Sequence, residues 1–235
     1  MGYVGKSKEA HVMSIISIFK RLISGASSGS VEQAQSLRKQ LGYDLPSASS
    51  GSAGQPTVRR APVPIPNSYV VFDLETTGLN SDIHQIIEIG AIRINAGSTK
   101  ADTLGALIKI DGNVPAKITE ITGISKEMLD REGEPIETML PQLLTFFGDL
   151  PLVAFNAKFD IGFLHAAAKA QGLKVKNKHS CALVMARRAW PGRKSYKLSE
   201  LAKSAGLATQ NHRALGDCEL ALQIYMAAAI QLRNV

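Results

Sequence analysis

The run Tyr69-Val70-Val71-Phe72-Asp73-Leu74-Glu75 constrains the fold of this chain more than any other stretch. Its apolar start, rich in β-branched and aromatic side chains, reads as a buried strand. Asp73 and Glu75 close it, and residues spaced i, i+2 on a strand point to one face of the sheet. An ionised carboxylate turned toward a core is costly unless a cation or hydrogen-bond donors meet it. Thr76-Thr77-Gly78-Leu79 is a turn signal, which sets the pair at a strand end, where open α/β sheets place their sites. Taken alone, the pair fits equally well a strand end whose acids simply face water. The decision rests on whether the rest of the chain supplies further ligands.

With 235 residues the chain has room for one large domain or two small ones, and 45% apolar content is enough for a core. Cys181 and Cys218 stand far apart without metal-type spacing, which argues against a zinc site and a disulfide framework. No apolar run reaches the roughly 18 residues of a membrane span. The short stretch Val12 to Phe19 runs straight into Lys20-Arg21, unlike a secretory signal. A cytoplasmic protein with no transmembrane segment is expected. Charge is unevenly spread. Residues 67–157 carry six Lys/Arg against thirteen Asp/Glu, whereas residues 158–213 carry twelve against two. An acidic half followed by a basic half suits a metal site beside a polyanion track.

The first 66 residues differ from the rest. Val12, Ile15, Ile16, Phe19, Leu22 and Ile23 recur at helical spacing. Ser30 to Leu41 reads as a second short helix, with Ser30 and Gln33 as a capping box and Gly42 as a stop. Ser, Gly, Pro and Ala dominate from Pro46 to Pro66, the composition of a flexible linker. The expected organisation is a helical extension over 1–45, a linker over 46–66 and an α/β domain over 67–235. The first helix of the extension could dock on its own domain, on a partner or on an anionic membrane surface, and packing against protein is the expected outcome. From Ser68 the pattern is α/β, with strands at Tyr69–Leu74, Ile86–Asn95 and Thr103–Ile110 forming an antiparallel start. Helices are expected at Ser125–Leu129 and Ile136–Phe147. A strand at Leu152–Phe155 and a helix at Asp160–Gln171 follow. The last helices are expected at Cys181–Ala189, Lys197–Ala205 and Ala214–Gln231.

Two further carboxylates fall at telling places. Asp160 comes just after a strand, where a helix begins, a position the helix dipole also favours for purely structural reasons. Asp217 sits among Ala214, Leu215, Cys218, Leu220 and Ala221 in a nearly apolar helix, where an unpaired acid would be expensive. His212 lies five residues before it. Four carboxylates and a histidine without a cysteine cluster describe a site for hard cations, Mg²⁺ or Mn²⁺. Two such ions can clamp the attacking and leaving oxygens of a phosphodiester. In this scheme Asp73 bridges both ions and Glu75, Asp160 and Asp217 complete their shells. His212 takes the proton from the attacking water, as histidines do near neutral pH.

With those residues in place, the chain resembles the DnaQ-like family of DEDDh-type 3′→5′ exonucleases. The matching segments are Phe72-Asp73-Leu74-Glu75-Thr76-Thr77-Gly78-Leu79, Asn156-Ala157-Lys158-Phe159-Asp160 and His212-Arg213-Ala214-Leu215-Gly216-Asp217. Ile121-Thr122-Gly123-Ile124, Ala186-Arg187-Arg188 and Ser195-Tyr196-Lys197-Leu198 also fit. The resemblance covers about residues 67–232. It implies an RNase H-like fold, a mixed five-stranded sheet flanked by helices. It also implies that Asp73, Glu75, Asp160 and Asp217 bind two metal ions and that His212 is the general base. Thr76, Thr77, Gly78 and Leu79, with Asn156, Phe159, Tyr196 and Lys197, are the expected substrate contacts. One departure stands out: many relatives have a histidine where this chain has Phe155.

Lys174, Lys176, Lys178, Arg187, Arg188, Arg193, Lys194 and Lys197, with Tyr196 among them, have the composition of a nucleic-acid track. Trp190, before Pro191-Gly192, reads rather as a packed helix-end residue. The expected partner is nucleic acid with a free 3′ end, single-stranded DNA first. The alternatives are an exoribonuclease that trims short RNA and a non-catalytic nucleic-acid-binding module.

Overall fold

The computed structural model describes residues 65–98, 100–207 and 212–233. The expected helices at Val12–Ile23 and Ser30–Leu41, and the linker apart from its last two residues, lie outside that range. A five-stranded mixed sheet in the order β3-β2-β1-β4-β5 organises the described residues. Strands β1 (Tyr69–Thr76), β2 (Ile86–Ile94) and β3 (Asp102–Leu107) form the antiparallel start. β4 (Leu152–Ala154) lies parallel to β1, and β5 (His179–Cys181) lies parallel to β4. This is the expected RNase H-like arrangement.

Alternation along β1 builds two cores. Tyr69 and Val71 face one side, packed with Ile92, Ile94 and Val153 against helices α5 (Ala182–Ala189), α6 (Leu198–Ser204) and α7 (Ala214–Arg233). Val70, Phe72 and Leu74 face the other, against helices α3 (Ile136–Phe147) and α4 (Ala157–Ala170). Phe72 meets Phe147 edge-on at 5.3 Å between centroids, and burying an aromatic of this size contributes about 1.5–3 kcal/mol. Two short helices, α1 (Ala116–Thr122) and α2 (Lys126–Glu132), cover the end of β2 and β3 around Ile87, Ile110, Ile124 and Leu129. The Ser125 hydroxyl caps α2 by accepting the Met128 N–H at 3.3 Å.

Some boundaries differ from the sequence reading. β3 ends at Leu107; Ile108 still donates its N–H to the Ile87 carbonyl of β2 at 2.9 Å and also forms a parallel bridge with Glu134. Helix α4 begins at Ala157 rather than Asp160, with Asn156 at its N-cap, so Asp160 lies within its first turn. The segment expected as one helix from Cys181 begins with edge strand β5, and α5 starts at Ala182. Helix α1 had no counterpart in the reading.

α7 crosses the sheet in direct contact with β2 and β3. A Cβ on Gly90 would sit 2.4 Å from the Ala214 carbonyl carbon, and one on Gly105 would sit 2.7 Å from Leu215 Cδ1. At Gly90 the clash is with backbone, so only glycine there lets the start of α7 lie on the sheet beside the carboxyl end of β1, whereas at Gly105 the Leu215 side chain would have to shift. Among the described residues no helix is long and apolar enough to cross a membrane.

Candidate active site

Asp73 and Glu75 lie on the α7 face of β1, as their i, i+2 spacing requires, opposite Gly90 and Glu88 of β2. β4 ends at Ala154, so β1 runs on past its parallel neighbour. There Asp160, from the first turn of α4, accepts the Leu74 N–H on Oδ1 at 3.2 Å. Asp217, in the first turn of α7, is 4% exposed, and Asp160 is 3% exposed. Carboxylate oxygens of Glu75 and Asp217 and a ring nitrogen of His212 all lie within 4.8 Å of one another. His212 has φ 50°, the only left-handed non-glycine backbone among the described residues.

These acids strongly perturb one another. Burial pushes the Asp73 carboxyl well above the usual carboxylate range, and Asp160, Asp217, Glu75 and Glu88 push it further. Glu75 is raised to about 8, chiefly by burial and then by Asp217, Glu88 and Asp160, against the pull of Arg213. Asp160 rises to about 7 by burial, although the N–H groups of Leu74 and its own residue act the other way. Such a cluster of oxygen donors with one imidazole fits a hard divalent cation, which would relieve the repulsion. The residues present therefore form an acidic group able to hold a divalent metal.

The titration sign makes this testable. Glu75 and Asp160 bind protons more tightly folded than unfolded, where their values are 4.5 and 3.8. Their favourable contribution is complete below about pH 4 and is lost as pH rises to about 8. Metal-free protein is expected to melt on the order of 5 °C lower at pH 8 than at pH 5. Mg²⁺ should raise the melting temperature more at pH 8 than at pH 5. Differential scanning calorimetry checks both; a metal-free melting temperature that rises across this window would refute the account.

An open cleft of about 970 Å³ spans the site. Of the residues expected from sequence, it brings together Asp73, Glu75, Asp160, His212 and Asp217, with Leu79, Asn156, Phe159, Tyr196 and Lys197 on its walls. Phe155 also lines it. Thr76, Thr77 and Gly78 do not. The Thr76 hydroxyl donates to the Gly78 carbonyl at 2.6 Å, and Thr77 Oγ1 accepts the Gln85 N–H at 3.0 Å. A Cβ on Gly78 would sit 2.4 Å from the His84 ring. These three residues shape the loop that presents Leu79, which is 85% exposed.

The basic run is split, and Arg193 donates from Nη2 to Ser204 Oγ at 2.7 Å. Arg187, Lys194 and Lys197 line the cleft. Lys174, Lys176 and Lys178 precede β5, which runs parallel to β1 through β4, so they lie at the opposite end of the strands. There they flank an open sheet edge, a placement that discourages edge-to-edge pairing. The Tyr196 hydroxyl donates to the Trp190 carbonyl at 2.5 Å and accepts the Arg193 N–H at 3.3 Å, and Arg187 lies over its ring at 5.8 Å. Tyr196 is thus a pinned wall of the cleft. Trp190 is 8% exposed and packed, as expected.

Glu88 and Arg213 were missed by the sequence reading. Arg213 donates twice from Nε, at 3.0 and 3.1 Å, and once from Nη2, at 2.7 Å, to the Glu88 carboxylate. The Ala214 N–H donates to Glu88 Oε2 at 2.9 Å. The available signal was an acid within the apolar run Ile86-Ile87-Glu88-Ile89, the same anomaly that drew attention to Asp217.

The RNase_T family model, Exonuclease, matches residues 70–225. The DNA polymerase III subunit epsilon of Aquifex aeolicus is 35% identical over 162 residues, which cover 68% of this chain and 79% of that protein. The PolC-type DNA polymerase III of Clostridium perfringens is 38% identical over 160 residues, 67% of this chain. The chain spans only 11% of the length of that relative. Among solved structures, Exonuclease X in complex with 5′ overhanging duplex DNA is 27% identical with a TM-score of 0.53, covering 71% of this chain and 91% of that one. E. coli exonuclease I with single-stranded DNA, at 18% identity and a TM-score of 0.60, covers 71% of this chain and 40% of that one and shares the fold.

Proposed function

The chain belongs to the exonuclease family, and from that premise we propose that it removes nucleotides from the 3′ end of single-stranded DNA in a divalent-metal-dependent 3′→5′ reaction. The convergence of Asp73, Glu75, Asp160 and Asp217 with His212 in one open cleft carries this reading. Asp73, Glu75, Asp160 and Asp217 would hold two ions, Mg²⁺ with Mn²⁺ as a substitute. When bound, the metal neutralises phosphate charge and lowers the pKa of water at the site. His212 takes a proton onto a ring nitrogen as the water oxygen attacks phosphorus. The P–O3′ bond breaks and the leaving O3′ takes a proton from solvent, giving a nucleoside 5′-monophosphate and a strand shortened by one residue with a new 3′-hydroxyl. Leu79 and Phe159 supply apolar surface for the terminal base, and Asn156 offers an amide to the terminal sugar or phosphate. Arg187, Lys194 and Lys197 attract the backbone of the incoming strand, so binding weakens steeply with salt.

The resemblance to polymerase III subunits supports a proofreading or repair role in the cytoplasm. In this reading 67–235 is the catalytic unit, 46–66 the tether and 1–45 the segment that engages a polymerase or other protein. A time course on end-labelled single strands tests the chemistry. With Mg²⁺, a 5′-labelled DNA oligonucleotide should give a descending ladder, and a 3′-labelled one should release labelled mononucleotide from the first time point. EDTA should stop both. First release of the 5′ label, or hydrolysis that survives EDTA, would overturn the reading; faster loss of matched RNA would make the enzyme an exoribonuclease.

A further inference from the structure

Glu88 and Glu75 face each other across β1 and β2. Like charges at directly opposed positions destabilise a sheet unless a cation intervenes. Glu88 is 8% exposed, and its carboxylate is met from one direction only, by the segment that starts α7. Arg213 grips both of its oxygens, while the Ala214 N–H donates to one of them from 126 residues away in sequence. A carboxylate at a helix N-terminus is favourable, and bidentate pairing with arginine fixes direction as well as distance. His212 immediately precedes these anchors with φ 50°. A non-glycine residue held there is strained and persists only where its surroundings impose it.

We propose that the Glu88–Arg213 pair is a positioning latch that holds His212 in its left-handed conformation, with its ring against Glu75 and Asp217. The inference rests on the exonuclease reading, because it assigns Glu88 and Arg213 to the service of the general base. Helix α7 does not need the latch to stay on the sheet. Its first turn is seated on the backbone at Gly90 and against Gly105, and beyond it Leu220, Ile224 and Tyr225 are buried. Cutting the latch therefore frees residue 212 while leaving the helix in place. A pair kept only for stability would behave differently: removing one partner leaves the other charge uncompensated and lowers the melting temperature, without moving the His212 resonance in the protein that stays folded.

The test uses the full chain as parent, Arg213→Ala, Glu88→Gln and the double variant. Arg213 is half-buried, so its truncation leaves the cores untouched. Arg213→Ala and Glu88→Gln should each lower kcat on the order of a hundredfold, the scale of a displaced catalytic group, with KM within about threefold. The double variant should be no worse than either single change, because both cut one device. Independently of activity, the ¹³C-labelled His212 Cε1–H resonance, assigned with His212→Gln, should move toward its random-coil position in each metal-free variant. Parent-like kcat, or a fall in kcat with the His212 resonance unmoved, would overturn the latch. Were the parent inactive on DNA, the exonuclease reading would fall while the resonance still tested the latch.

Discussion

Asp73→Asn is expected to lose at least about a thousandfold in hydrolysis while the metal-free protein at pH 8 melts on the order of 3 °C higher than the parent. The two effects have one cause. Asp73 lies at the centre of the acidic cluster and feels Asp160, Asp217, Glu75 and Glu88 together. An amide of the same shape removes that repulsion but supplies a poorer ligand for a hard cation. A thousandfold is about 4 kcal/mol of barrier, within the several kcal/mol that metal charge contributes to such transition states. Mg²⁺ should raise the melting temperature of the parent and do little for the variant. Hydrolysis within tenfold of the parent, or a large loss of stability, would show that Asp73 serves the fold instead.

His212→Ala should reduce kcat by two to four orders of magnitude, the usual span for a positioned acid–base group. Its KM should stay near the parent value. Mg²⁺ stabilisation should persist in part, since the carboxylates remain. The variant should fold normally, because His212 precedes α7 and belongs to neither core. Removing a side chain from a left-handed backbone leaves that conformation no easier for alanine, so glycine at 212 is the useful companion. It relieves the backbone cost but should be equally slow, which separates loss of the proton acceptor from loss of loop geometry. Rates in both variants close to that of the parent would exclude His212 as the base.

Much of this site could be read along the chain because three of its four acids broke a local rule. Asp73 and Glu75 end an apolar strand, and Asp217 sits in an apolar helix. Those violations are visible without coordinates, since burial of charge is anomalous wherever the fold goes. The strand and helix order from β1 to α7 was legible for the same reason: long apolar runs carry their own period. β5 and α1 were not. β5 is three residues, none of them fully buried, and α1 is seven residues of mixed polarity. Neither is long enough to carry a period.

Glu88 and Arg213 mark the limit more sharply. The opposition of Glu88 to Glu75 depends on strand register, and its pairing with Arg213 depends on how α7 lies on Gly90. The basic run shows the converse. It is continuous in sequence, yet strand direction sends Lys174, Lys176 and Lys178 to one end of the sheet and Arg187, Lys194 and Lys197 to the cleft. What the sequence determined by itself was the chemistry, with Asp73, Glu75 and Asp217 at costly positions and Asp160 and His212 beside them in the motifs, because the energy of burying a charge is a property of the residue and its near neighbours. What only the tertiary structure decided was which groups meet, Glu88 with Arg213, Thr76 and Thr77 with their own loop, and Lys174, Lys176 and Lys178 with none of it. Those partnerships are set by register, strand direction and the close packing of α7 on glycine, which no local stretch of chain contains.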